Sequence, residues 1–200
     1  LPGSVNGFNV GVNGDTGTVW QTGGQLILTN TDLNVGGLFS PATALLSISN
    51  GHAAALNVFV GGQGGGTGVV TMAGGTLGAT NLFIGSSSSQ NQLIASNGAT
   101  LITAANSFLG RHTGANDNSA TVSGPGTHWL LSSNLYVGSG GASNRLVVRN
   151  GATVPVGDAA PAVAPGTWCL RVVAANVGLE RGDLITEVAG RPIEGTVFAL

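Results

Sequence analysis

A short strand-like segment closed by glycine recurs six times along the chain, as GFNVG, DLNVG, NVFVG, NLFIG, NSFLG and NLYVG. The closing glycines are Gly11, Gly36, Gly61, Gly85, Gly110 and Gly138, so successive copies lie 25, 25, 24, 25 and 28 residues apart. A period in this range builds a solenoid, because one such unit cannot bury its apolar face alone and needs the next unit stacked on it.

Aligning the copies on that glycine sorts alternate positions into classes, as the two-residue period of a strand requires. One residue before the glycine stand Val10, Val35, Val60, Ile84, Leu109 and Val137, and three before it Phe8, Leu33, Val58, Leu82, Ser107 and Leu135. Both columns are expected to face inward. Four residues before the glycine come Asp32, Asn57, Asn81, Asn106 and Asn134, with Gly7 in the first copy. Asn and Asp suit a corner there, since their side chains bond nearby backbone and tolerate left-handed conformations, and stacked coils would turn them into a structural ladder.

A second strand ends near paired turn residues whose first members are Gly23, Asn50, Gly74, Asn97, Gly124 and Asn150. Gly and Asn accept positive φ most readily, so a left-handed turn is expected at each. Upstream, the columns Val19, Leu46, Val70, Leu93, Ala120, Leu146 and Gln21, Ile48, Met72, Ala95, Val122, Val148 read as inward. A less regular third strand follows, as in QLIL, ATLIT and HWLL. The expected fold is all-β: a parallel β-solenoid of six coils, each of about 25 residues and three strands and triangular in section, its handedness open, with a small α+β C-terminal tail.

Charge divides the chain. Only 7% of residues are charged, none is lysine, and eight of the fourteen charged side chains fall in the last 43 positions. Residues 1–157 read as the solenoid, 158–166 as a Pro/Ala linker and 167–200 as a separate tail. A net charge of −2 without a basic run argues against nucleic acid as a partner, and no stretch reaches the roughly 20 apolar residues of a membrane helix.

The stretch ATVSGPGTHWLLSSNLYVGSGGASNRLVVRNGATV, residues 120–154, resembles the repeat associated with type V autotransporters and PEP-CTERM exosortase proteins. The likeness lies in Val122, Gly124, Gly126, Trp129, Leu135, Val137, Gly138, Leu146, Val148, Asn150, Gly151 and Val154; the other copies keep the L-x-V-G and N-G marks without the G-x-G-x-x-W insert. The resemblance implies a passenger-like solenoid, secreted or held at a bacterial cell surface, with a structural or adhesive role and no catalytic residues to carry over. In the tail, VGLERGDLITEVAGRPI resembles part of the PDZ domains of bacterial periplasmic proteases, through Gly178, Leu179, Gly182, Asp183, Ile185, Val188, Gly190 and Pro192. That likeness implies a peptide-binding module as the alternative function, although about forty residues is half of such a domain, and capping of the open solenoid end is the competing role.

Nothing in the pattern assembles a catalytic or cofactor site. His52, His112 and His128 occupy different columns without metal-ligand spacing, and Cys169 has no histidine beside it. The run GGQGGGTG at 61–68 lacks the Lys-Ser/Thr ending of a phosphate loop. The solenoid acids Asp15, Asp32 and Asp117 lie far apart in the alignment, where a polysaccharide-cleaving β-helix would cluster them. The Thr16-Gly17-Thr18 rank is not repeated in the second strands of later coils, too little for an ice-binding face.

The remaining column, two before the closing glycine, holds Asn9, Asn34, Phe59, Phe83, Phe108 and Tyr136 and is expected to face outward. Its four aromatics in consecutive coils would form an exposed apolar stripe, covered by the tail or a loop, or else a binding stripe for a sugar polymer, a surface protein or another copy of the chain. The expected function is therefore a non-enzymatic structural or adhesive module without cofactors, with itself or a surface polysaccharide or protein as partner.

Overall fold

A computed structural model describes residues 7–37, 42–62 and 65–157, together with the backbone of 187–188 and 191–192. The expected linker and C-terminal tail, including Ile185 and Cys169, lie outside the described residues, apart from an antiparallel pairing of Glu187–Val188 with Arg191–Pro192.

The described part is all-β and winds as a parallel β-solenoid of about five turns. The first turn contributes β1 (Gly7–Val10), β2 (Thr16–Gln21) and β3 (Gln25–Ile27), followed by β4 (Asp32–Val35) and β5 (Thr43–Ile48). Next come β6 (His52–Val60), β7 (Thr67–Ala73), β8 (Thr76–Ile84), β9 (Gln92–Ser96) and β10 (Thr100–Thr103). The last are β11 (Ser107–Leu109), β12 (Ser119–Ser123), β13 (His128–Leu131), β14 (Leu135–Val137) and β15 (Arg145–Arg149). Strands β2, β5, β7, β9, β12 and β15 stack in chain order as one parallel sheet, and the rest form a second.

Two sequence expectations need correction. Six coils overcount, because the last pass ends in bridges at Thr153 and Val156 in place of a third strand. The three-strand coil also fails midway: β6 and β8 each run through the corner that was to separate a third strand from the next first strand. The reason lies in the corner itself. Ala53 and then Val58 and Val60 point inward, as do Leu77, Ala79 and then Leu82 and Ile84, so the inward parity switches across Leu56-Asn57 and Thr80-Asn81. Two outward residues make the bend while the backbone stays extended enough to keep pairing with the neighbouring coil.

Register follows the sequence alignment residue for residue. Val10 pairs opposite Val35, Val35 opposite Val60, Val60 opposite Ile84, Ile84 opposite Leu109 and Leu109 opposite Val137. These side chains, with Leu46, Val70, Leu93, Leu77, Leu101 and Trp129, form one continuous core. A full burial of each aliphatic chain contributes roughly 1.5–3 kcal/mol. Trp129 fits because its indole Nε1 donates to Thr103 Oγ1 at 3.1 Å, which satisfies the one polar atom that such burial would strand.

Candidate functional site

The corner residues of the ladder meet coil on coil. Asn57 Nδ2 donates to Asp32 Oδ1 at 2.8 Å, Asn81 Nδ2 to Asn57 Oδ1 at 2.9 Å and Asn134 Nδ2 to Asn106 Oδ1 at 3.3 Å. Between them the link changes form, the backbone N–H of Asn106 donating to Asn81 Oδ1 at 3.2 Å. Every donor points toward the N-terminal end, and Asp32 closes the run. A carboxylate can only accept, and the residue opposite it in the preceding coil is Gly7, which offers no side-chain partner.

The turn column is only partly as expected. Gly74, Asn97, Gly124 and Asn150 have φ of +98°, +54°, +97° and +55°, whereas at Gly23 and Asn50 the left-handed residue is the next one, Gly24 at +68° and Gly51 at +96°. At Gly51 the backbone passes so close to the coil before it that a Cβ would lie 2.5 Å from the Gly24 carbonyl oxygen. Glycine is therefore needed at position 51.

The aromatic column also departs from expectation. The rings of Phe59, Phe83, Phe108 and Tyr136 do stack in series, with centroids 4.7, 5.5 and 4.8 Å apart and planes within 10° of parallel. They are not an exposed stripe. Phe59 and Phe83 are 8% and 7% exposed, and Phe108 and Tyr136 are half-buried. Each ring occupies its neighbour's face, and the Arg111 guanidinium covers Phe83 and Phe108 at 5.0 and 5.2 Å from their centroids. A sugar binds an aromatic through the ring face, and the faces between these stacked rings are closed to it. Below it Asn34, also buried, donates from Nδ2 to Asn9 Oδ1 at 2.9 Å and leaves its own Oδ1 without a partner.

A second asparagine column escaped the sequence reading. Asn91, Asn118 and Asn144 stand immediately before β9, β12 and β15 and are 0%, 0% and 1% exposed. Asn91 Nδ2 donates to Asn118 Oδ1 at 2.8 Å, Asn118 Nδ2 to Asn144 Oδ1 at 2.9 Å, and Asn144 Nδ2 to the Ala115 carbonyl at 3.0 Å. The backbone N–H groups of Asn91 and Asn118 donate to the same acceptors, each at 3.0 Å. The closing glycines make room for it. Gly61, Gly85 and Gly110 lie at φ of +79°, +72° and +78°, and a Cβ on any of them would overlap the carboxamide of Asn91, Asn118 or Asn144 respectively. The signal in the sequence was an Asn just before the second strand in copies four to six, in NQL, NSA and NRL.

Among the described residues, no group of three or more His, Cys, Asp or Glu is placed to hold a metal ion, and no helix is long and apolar enough to cross a membrane. His128 Nδ1 lies 2.7 Å from Thr153 Oγ1 across the last coils. Asp15, Asp32 and Asp117 stay in separate coils. No protein-family model, no curated protein and no solved structure matches the chain.

Proposed function

We propose that the chain is a non-catalytic structural and adhesive module, a stiff rod of a secreted or cell-surface protein, of the passenger-like kind that the repeat at 120–154 resembles. The supporting observation is the pair of asparagine columns. They bond one coil to the next through buried or half-buried carboxamides, and buried hydrogen bonds of this kind rigidify a stack when every member is satisfied. Such an interior spends its polar groups on coil-to-coil bonding and leaves recognition to the outside faces.

The reading is tested by displaying residues 1–200 on a non-adherent bacterium and counting cells retained on a matrix-coated surface under flow. Retention well above that of cells displaying a scrambled sequence is expected. Equal retention overturns the adhesive role.

A further inference from the structure

We propose that the outer face of the six-strand sheet β2-β5-β7-β9-β12-β15 binds an acidic polysaccharide of low charge density, in which uronic acid alternates with neutral sugar. The proposal deepens the adhesive reading by assigning it a face and a ligand.

Trp20 carries the argument. It projects outward from β2 and is 71% exposed, which is unusual for the largest side chain of a folded domain. Its neighbour in register on the next strand is Ser47, followed by Thr71. No ring stands against its face among the described residues, in contrast to the Phe59–Tyr136 stack, where neighbouring rings lie face to face. The Trp20 indole is thus free to receive the apolar C–H face of a sugar ring.

The rest of the column suits a chain laid along the solenoid axis. After Thr71 come Ile94, Thr121 and Val147 in register, alternating small hydroxyls with aliphatics and carrying no charge. The hydroxyls can exchange hydrogen bonds with sugar hydroxyls. At the far end β15 presents Arg145 and Arg149, both exposed, on the same outward side as Val147. These are two of the three arginines in the solenoid, and no Asp or Glu lies within the six strands. From β2 to β15 the face extends about 24 Å at the usual spacing of paired strands.

Charge selects the polymer. Arginine forks pair with carboxylates, which favours an acidic glycan over a neutral one. The uncharged middle of the face would leave the groups of a densely sulfated chain without partners, and desolvating unpaired charge is unfavourable. Two arginines at one end are also too few for the phosphate track of a nucleic acid.

The test uses the full chain with hyaluronan as the probe, and heparin, dextran and single-stranded oligo(dT) as comparators, read by affinity electrophoresis and by the tryptophan emission that W20A removes. Hyaluronan should retard the protein, W20A and the double variant R145A/R149A should each raise half-saturation roughly fivefold, and added salt should weaken the wild type but hardly affect R145A/R149A. All three side chains are exposed, so circular dichroism of the variants should match the wild type. No retardation by hyaluronan, retardation equalled by dextran, heparin or oligo(dT), or binding indifferent to both variants overturns the proposal. Under flow the two ideas separate. Retention that survives W20A with no hyaluronan binding removes this site alone, whereas Trp20-dependent hyaluronan binding without retention of cells removes the adhesive role and leaves the site.

Discussion

At the scale of single residues, the closing glycine and the asparagine that fills its missing Cβ form one unit. Gly85→Ala meets two penalties together: a left-handed φ of +72° and overlap with the Asn118 carboxamide. It should destabilise by about 2–4 kcal/mol, seen as a lower urea midpoint, whereas Gly98→Ala, at φ +77° with open space around it, should cost only the backbone term of about 1 kcal/mol. Equal losses would mean that Asn118 is not packed against Gly85. Asn118→Ala leaves the Asn91 backbone N–H without its acceptor and its carboxamide with Ser88 Oγ alone, and takes the side-chain donor from Asn144 Oδ1, so a loss of about 1–3 kcal/mol per stranded group is expected. A midpoint within error of wild type would show that the column is not satisfied internally. The repeated glycine was legible in the sequence, but its cause was not. A column view of one strand reads positions along the chain, and Asn118 reaches Gly85 from the following coil.

At the scale of elements, alternation gave the right register for the first and second strands of each coil because each inward position is apolar in most copies, and a slip by one residue would turn the whole set outward. The merging of third and first strands in β6 and β8 was not legible. Nothing in Leu56-Asn57 or Thr80-Asn81 distinguishes a chain break from a two-residue bend that keeps its ladder bonds. The aromatic column was placed correctly yet given the wrong exposure, because residue type at an outward position says nothing of what the neighbouring coils and Arg111 will cover. Arg111→Ala should uncover the edges of Phe83 and Phe108 at a cost of about 0.5–1 kcal/mol, and raise binding of a hydrophobic dye. Unchanged dye binding would place the guanidinium elsewhere.

At the scale of the whole molecule, a solenoid's stability is close to a sum over coils and their interfaces. Deleting residues 57–80 removes one full period and joins Leu56 to Asn81, which stands 24 positions after its equivalent Asn57. The shortened chain should keep a strand-type circular dichroism spectrum and unfold at a somewhat lower midpoint. Deleting residues 57–68 removes half a coil and should abolish the fold; a well-folded product would contradict the stacking. The charge distribution belongs to this scale too, with Asp15 and Asp32 in the first coils and Arg145 and Arg149 in the last strand. The opposed ends bear on how a polyanion approaches and have no bearing on the winding.

The central claim is that like side chains stack from coil to coil, and the buried carboxamides test it most directly. In an asparagine-labelled sample, side-chain amide protons of Asn91 should show nuclear Overhauser contacts to Asn118, and those of Asn118 to Asn144, with no contact between Asn91 and Asn144 and with slow solvent exchange at all three. Rapid exchange, or an Asn91–Asn144 contact without the intermediate ones, would contradict the account.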